Sequence, residues 1–126
     1  MGIRSYRDLI LWQKSMDLAT TIYRITEPFP AQEQFGLTSQ LRRGATSIPA
    51  NLAEGHSRHS RGDYRRHVSI ASGSLAELET NLEIVSRLGY LAAEPLVTTL
   101  AQAGEVGRML TVLLARLRSQ FPASNH

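Results

Sequence analysis

The segment YRRHVSIASGSLAELETNLEIV, residues 64–85, decides the fold of this chain. Apolar residues recur in it at alternating spacings of four and three, which is the pattern of a helix that buries one continuous stripe. The stripe consists of Tyr64, Val68, Ala71, Leu75, Leu78, Leu82 and Val85. This register predicts a long amphipathic helix over residues 60–88 whose apolar side packs against other helices.

Three further stripes of the same kind flank this segment and predict helices over residues 5–27, 32–55 and 94–119. The first stripe is Leu9, Trp12, Met16, Ala19, Ile22, Tyr23 and Thr26; the second is Leu37, Leu41, Gly44, Ala45, Ile48 and Leu52; the last is Leu96, Leu100, Ala103, Gly107, Leu110, Leu114, Leu117 and Phe121. No alternating β-branched run occurs in the sequence, so no strand is predicted.

Residues with special backbone preferences mark the predicted helix ends. Ser5 and Ser60 each stand three residues before an aspartate, which is the pattern of a capping box. Gly55 is predicted to end the second helix in the left-handed conformation, and Gly89 is predicted to stop the third helix. Pro49 lies inside the second stripe, and because the stripe stays in phase across it, we predict a kink and not a break.

Long helices joined by short connections pack against their neighbours in sequence. We therefore predict an all-α fold, an antiparallel up-down-up-down four-helix bundle, with all 126 residues in one domain.

Composition excludes several classes of protein. The chain contains no cysteine, which excludes a disulfide framework, a thiolate metal site and a cysteine nucleophile. Its first residues lack the apolar run of a secretory signal, and charged residues interrupt every apolar stretch well before the ~18 residues that a membrane span needs. We expect a cytoplasmic protein with no membrane partner.

The sequence offers few candidates for catalysis. No glutamate is followed three residues later by histidine, as the di-metal centres of helix bundles require. His56, His59 and His67 form an alternative, a zinc site, but the arginines around them oppose a divalent cation. We predict a protein that is not an enzyme and has no catalytic residue, metal or cofactor.

Positive charge is concentrated in one short segment. Lysine and arginine number 14 against 11 acids, Lys14 is the single lysine, and residues 56–67 hold four of the arginines. Arginine suits phosphate recognition because its guanidinium is a planar, forked donor. The predicted nucleic-acid-binding residues are Arg58, Arg61, Arg65 and Arg66, joined by Arg42 and Arg43. The alternative is a solvated loop whose arginines bond carboxylates of the bundle.

Polar residues lie beside the apolar stripes on two of the predicted helices. Gln40, Arg43, Ser47, Asn51 and Glu54 follow one another at steps of three and four on the second helix, and Ser74, Glu77 and Asn81 do so on the third. One interpretation is two solvated faces. The other is that the faces meet, within the bundle or across subunits, with Arg42 or Arg43 paired to Glu77 or Glu79.

The sequence resembles a known family over residues 5–90. The runs that carry the resemblance are LILWQKSMDL (9–18), EQFGL (33–37), QLRRGATSIPANLAEG (40–55), IASGSLAELE (70–79) and LGY (88–90). These runs are similar to the four-helix-bundle proteins named for reading frames in 23S rRNA intervening sequences. Gly44 and Leu52 stand where that family is expected to have alanine and isoleucine.

The resemblance implies a bundle that assembles into a homopentameric ring, and it implies no established activity. Similar proteins include the accessory subunit of diversity-generating retroelements, a basic pentamer that binds nucleic acid and a reverse transcriptase. We therefore expect a non-enzymatic oligomeric accessory protein that binds RNA or DNA phosphates through its arginines. The alternative is an interaction scaffold or adaptor for a partner enzyme such as a reverse transcriptase, with no direct nucleic-acid contact.

Overall fold

The structure, a computed structural model, describes residues 5–119 and is formed by four α-helices. The helices are α1 (Ile10–Thr26), α2 (Leu37–His56), α3 (Arg61–Arg87) and α4 (Ala93–Ser119). Single turns of 3₁₀ helix precede α1 at Tyr6–Asp8 and α2 at Ala31–Glu33. No strand occurs within the described range. The predicted all-α four-helix bundle is confirmed.

The core is built on α3. All of its predicted stripe residues except Tyr64, which is half-buried, are buried, so the heptad pattern located the core correctly. Their partners on α2 are Leu41, Ala45, Ile48 and Leu52. The α2–α3 contact is the most extensive in the bundle, followed by the contact of α3 with α4.

The predicted stripe of α1 is wrong in part. Leu11 and Leu18 are buried in the core, whereas Met16 and Tyr23 of the predicted stripe are exposed by 41% and 43%. The first helix carries two adjacent apolar faces. Its aliphatic face fills the core, and its aromatic face lies along α2, where it leaves a groove.

Only part of the predicted apolar stripe of α4 is buried. Its buried residues are Thr99, Ala103, Val106, Leu110 and Leu117. The predicted stripe residues Leu96, Leu100 and Leu114 are partly buried against this core. Phe121, the last residue of the predicted stripe, lies outside the described residues.

Helices α1 and α2 begin later than predicted. Leu9, at φ −74° and ψ 123°, is extended and separates the first 3₁₀ turn from α1. Gly36 separates the second 3₁₀ turn from α2, because its φ of −109° and ψ of −113° are not helical. At the first site Ser5 caps the 3₁₀ turn and not α1, because its hydroxyl accepts from the Arg7 N–H.

The ends of α3 are capped as predicted. The Ser60 hydroxyl accepts a hydrogen bond from the Asp63 N–H at 3.1 Å. Gly89 has a φ of 83°, which lets the Tyr90 N–H donate to the Val85 carbonyl at 2.9 Å and close a Schellman turn.

Two predictions about α2 have different outcomes. The helix runs without a break through Pro49, which is buried. Gly55 is not the terminator that was predicted, because it lies inside α2, which ends at His56 and has Ser57 as its C-cap. A Cβ atom on Gly55 would lie 2.7 Å from the Cβ of His67. This glycine is therefore required by the close approach of α3, and not by backbone conformation.

None of the helices in residues 5–119 combines the length and hydrophobicity needed to cross a lipid bilayer.

Candidate nucleic-acid interface

The two predicted polar stripes contact each other along α2 and α3. The Ser47 and Ser74 hydroxyls are 2.8 Å apart and share a hydrogen bond. Nearer the other end, the Asn81 amide donates to the Gln40 amide oxygen at 3.5 Å. We call this row of contacts, completed by Asn51 and His67, the polar seam.

His67 is the most buried residue of the seam and is only 5% exposed. The Asn51 amide N–H₂ donates to the Ser47 carbonyl at 2.9 Å and to the Ser47 hydroxyl at 3.1 Å, which leaves the amide oxygen of Asn51 as an acceptor. His67 Nδ1 lies 2.9 Å from that oxygen and therefore carries a proton. The seam thus links α3 to the buried side of α2 through directional bonds.

A structural role for His67 was not predicted from the sequence. The signal was present, because position 67 follows Tyr64 by three and precedes Ala71 by four, which places it beside the apolar stripe. The segment SIPANLAEG (residues 47–55) now has a physical explanation. Its residues Ser47, Asn51, Glu54 and Gly55 face α3 or the start of α3.

Replacing Asn51 by alanine is expected to lower the free energy of unfolding by about 1–3 kcal/mol, because the buried Nδ1–H of His67 would lose its acceptor. The matched control is Gln40→Ala, which removes an exposed amide with one long hydrogen bond and is expected to change stability by less than about 0.5 kcal/mol. Urea denaturation followed by circular dichroism measures both values. Equal effects of the two substitutions would contradict a role for the seam in stability.

The predicted basic segment forms the corner where α2 ends and α3 begins. We call its arginines, Arg58, Arg61, Arg65 and Arg66, the basic junction. Arg58, Arg61 and Arg66 are exposed, whereas Arg65 is half-buried. The structure brings these four residues together within a tight turn and the first two turns of α3, as predicted.

The arginines of the basic junction differ in their contacts. Arg58 makes an ion pair and hydrogen bond with Glu54, four residues earlier, so it bonds a carboxylate of the bundle. Arg66 donates weakly to His67 Nε2 at 3.4 Å and otherwise projects toward solvent. Arg61, the first residue of α3, is fully on the surface. Arg61 and Arg66 are thus the guanidinium groups most available to a ligand.

Glu54 is the acidic residue that pairs with the basic junction. The hydrogen bond from Arg58 holds the pKa of Glu54 below its ordinary value of 4.5, and His67 when it is protonated, together with the charges of Arg58 and Arg66, acts in the same direction. Its carboxylate oxygen lies 3.9 Å from His67 Nε2. Glu54 therefore stays ionised and neutralises part of the junction.

Glu54→Gln is expected to remove an acid-sensitive contribution to stability. Because the pKa of Glu54 is lower in the folded than in the unfolded chain, its carboxylate stabilises the fold above about pH 4.5 and loses this effect as pH falls through the folded pKa. Thermal melts should show wild type more stable than the variant at neutral pH, with the gap closing in acid. Glu83→Gln, at another exposed glutamate, is the control and should leave the profile unchanged; a constant gap for Glu54→Gln would contradict the assignment.

Arg42 does not join the basic junction. Its Nε donates to the Thr26 hydroxyl at 2.9 Å, its guanidinium lies 4.6 Å from the centre of the Tyr23 ring, and it is 3.6 Å from a Glu27 oxygen. The predicted pairing of Arg42 with Glu77 or Glu79 is therefore wrong within the chain. Arg42 instead links the C-terminal end of α1 to α2 through these contacts.

Arg43 lies in a separate groove between α2 and α3. The groove has a volume of about 640 Å³, is floored by Gly44, Ser47 and Ser74, and also holds the exposed Glu77. Within residues 5–119, Arg43 makes no ion pair with Glu77 or Glu79. Glu79 is half-buried, and this burial raises the pKa of its carboxyl group. Both Arg42 and Arg43 are about four helical turns along α2 from its C-terminal end at His56.

The histidines of the junction do not assemble as metal ligands. His67 bonds Asn51, and His56 packs edge-on against the Tyr64 ring with centroids 5.7 Å apart. Among the described residues, no group of three or more histidines and carboxylates is arranged to hold a metal ion. Burial raises the pKa of Tyr64, so its hydroxyl remains protonated. The chemistry that the corner offers is charge-assisted hydrogen bonding to anions.

Comparison with known proteins finds a family model and a solved structure that are similar to this chain. The family model described as 23S rRNA-intervening sequence protein matches residues 7–112. A solved structure described as a protein with unknown function from the S23 ribosomal protein family of Bacteroides thetaiotaomicron is similar, with 27% identity and a TM-score of 0.75. The match covers 82% of this chain and 97% of that one. No curated protein matches the chain.

Proposed function

Because the chain belongs to the 23S rRNA-intervening sequence protein family, we propose that it is a non-enzymatic, oligomeric accessory protein that binds RNA or DNA phosphates. The observation that carries this proposal is the basic junction, where Arg61 and Arg66 are exposed at one corner of the bundle. Phosphate contacts by arginine supply affinity without reading base sequence. The protein therefore binds nucleic acid by charge and shape.

The start of α3 supports anion binding at the same corner. Backbone N–H groups and the helix dipole favour negative charge at a helix N-terminus, and the junction arginines surround this one. Asp63 and the Ser60 cap already occupy part of that end. A phosphate is thus held chiefly by the guanidinium groups, with the helix end adding a favourable field.

The proposed assembly is a homopentameric ring of antiparallel up-down-up-down bundles that acts in the cytoplasm. The hydrogen bonds that Asn81 donates to Gln40 and that His67 donates to Asn51 run in opposite order along α2 and α3, which supports the antiparallel arrangement. The Tyr90 hydroxyl donates to Glu33, so the connection before α2 lies beside the connection before α4. A ring repeats the junction on one face and so raises the local positive potential.

Light scattering and a binding titration test this proposal. The purified protein is expected to have several times the mass of one 14.0 kDa chain and to bind labelled single-stranded RNA or DNA. The absence of binding to either nucleic acid at low salt would overturn the proposal.

The second candidate is a protein adaptor that docks a partner enzyme such as a reverse transcriptase. The observation in its favour is the aromatic face of α1, where Met16 and Tyr23 are exposed. Affinity purification after nuclease treatment distinguishes the two functions. Recovery of one stoichiometric partner enzyme, with no retained nucleic acid before the treatment, would favour the adaptor.

A further inference from the structure

The connection between α1 and α2 presents an isolated aromatic side chain to solvent. Phe35 is 89% exposed, the highest value among the exposed large hydrophobic residues in the described part of the chain. Burying a phenylalanine side chain stabilises a protein by about 1.5–3 kcal/mol relative to leaving it in water, so exposure of this degree forgoes a substantial gain. Phe35 is therefore a candidate for burial by something outside its own chain.

The backbone around Phe35 is held in place. One oxygen of the Glu33 carboxylate accepts from the Leu37 N–H at 3.2 Å, and the other accepts from the Tyr90 hydroxyl at 3.1 Å. The Gly36 N–H donates to the Glu33 carbonyl at 3.0 Å. A Cβ at position 36 would lie 2.9 Å from a Glu33 carboxylate oxygen, so a larger residue there would have to displace that side chain from its hydrogen bond to the Leu37 N–H. Phe35 is thus presented by a fixed turn, which lowers the entropy lost on docking.

An apolar groove that nothing in the described chain fills lies between α1 and α2. We call it the aromatic groove; its volume is about 520 Å³, and Tyr6, Trp12, Met16 and Tyr23 line it above a floor that includes Ala50 and Ala53. Tyr6 and Trp12 stack edge to face, with ring centroids 5.3 Å apart. A cleft of this size, with aromatic walls and a small-residue floor, accepts a phenyl ring.

The connection that carries Phe35 and the aromatic groove are complementary in charge as well as in polarity. The connection, residues 27–36, contains Glu27 and Glu33 and no cationic residue. Arg42 of α2, 3.6 Å from Glu27, offsets part of that negative charge. At the groove, the Arg7 guanidinium lies 5.3 Å from the Tyr6 ring centre and 6.0 Å from that of Trp12. An acidic turn approaching a groove edged by arginine is attracted to it.

We propose that Phe35 of one copy of this chain seats in the aromatic groove of a second copy. Because the projecting side chain and the groove lie at different places on the chain, the contact is head-to-tail, and its repetition closes a ring or extends a filament. This inference rests on the self-association in the proposed function and names the surfaces that carry it. It involves neither the basic junction nor the polar seam.

Cross-linking tests the contact directly, because the wild-type chain has no cysteine and introduced thiols are unique. Gln34→Cys marks the turn without removing Phe35, and Ala50→Cys marks the floor of the groove. Mixing the two single variants with a short bis-maleimide is expected to give a covalent dimer that contains one copy of each. The double variant is expected to give a ladder of higher multiples.

Two controls make the result specific. Adding Phe35→Ala to the Gln34→Cys chain should reduce the cross-linked yield about tenfold, since an anchoring aromatic contributes much of the energy of an interface. Val112→Cys, at an exposed position of α4, replaces Ala50→Cys as the mismatched partner and should give only background yield.

Light scattering of the same samples separates this inference from the proposed function. An oligomer that cross-links no better through Ala50→Cys than through Val112→Cys overturns the Phe35 contact and leaves oligomeric nucleic-acid binding in place. A cross-link formed within one chain also overturns it. A monomer at micromolar concentration overturns both the contact and the oligomeric state.

Discussion

Replacing both Arg61 and Arg66 by glutamine is expected to weaken binding to single-stranded RNA about a hundredfold in 0.1 M salt, because each lost phosphate contact forfeits the release of condensed counterions. Glutamine keeps a polar side chain with good helix propensity, so the fold is expected to stay intact. Fluorescence anisotropy with a labelled RNA measures the dissociation constant, and circular dichroism checks the helix content.

The matched control is the pair Arg24→Gln and Arg87→Gln. Both residues are exposed arginines, so the change in net charge is the same. Arg87 ends α3 and lies about 39 Å along that helix from Arg61. The control is expected to weaken binding by only a few fold. A loss as large as that of the junction variant would show that RNA responds to net charge and not to this corner.

Gly55→Ala is expected to lower the free energy of unfolding by about 1–3 kcal/mol, the cost typical of overpacking a well-filled contact. The new Cβ would lie 2.7 Å from the Cβ of His67 and 3.1 Å from Cδ1 of Tyr64. The His67 Cβ cannot move without displacing the α3 backbone, which is locked to α2 by the polar seam. The clash therefore outweighs the gain in helix propensity of up to about 1 kcal/mol.

Gly44→Ala in the same helix is the control and is expected to raise stability by about 0.5–1 kcal/mol. A Cβ at position 44 would meet the Ser74 carbonyl oxygen at 3.9 Å and the Leu78 Cβ at 4.0 Å, which are ordinary contact distances. This agrees with the alanine expected there from the family resemblance. Urea denaturation is expected to show that Gly55→Ala lowers the free energy of unfolding and that Gly44→Ala raises it. A stabilising Gly55→Ala would mean that α3 does not approach α2 closely at His67.

The sequence predicted well those parts of the fold that depend only on the spacing of apolar residues along a helix. The stripe from Val68 to Val85 is buried because heptad spacing fixes which side of a long helix faces its neighbours. On α1 the same reasoning failed, since Leu11, Leu18, Trp12 and Met16 form two adjacent apolar faces. Periodicity cannot choose between them; the choice depends on how side chains of different shape fill the space between helices.

The candidate site was predicted unevenly for similar reasons. The four arginines of the basic junction are close in sequence, so their proximity in space followed directly. The contacts of Arg42 could not be predicted in this way. Thr26 and Tyr23 are 16 and 19 residues away in the sequence, and only the packing of α1 on α2 brings them near Arg42. Gly55 was misread as a terminator because the sequence does not reveal how closely His67 approaches.

The salt dependence of RNA binding tests the central claim, that a cluster of arginines on an oligomer holds phosphates, most directly. If an oligomer neutralises about five phosphates, a plot of log affinity against log salt concentration is expected to have a slope near −4 to −5. The variant with Arg61→Gln and Arg66→Gln should give a distinctly shallower slope, and the Arg24→Gln, Arg87→Gln control should keep the wild-type one. An affinity for RNA that is indifferent to both salt and the junction substitutions would contradict the claim.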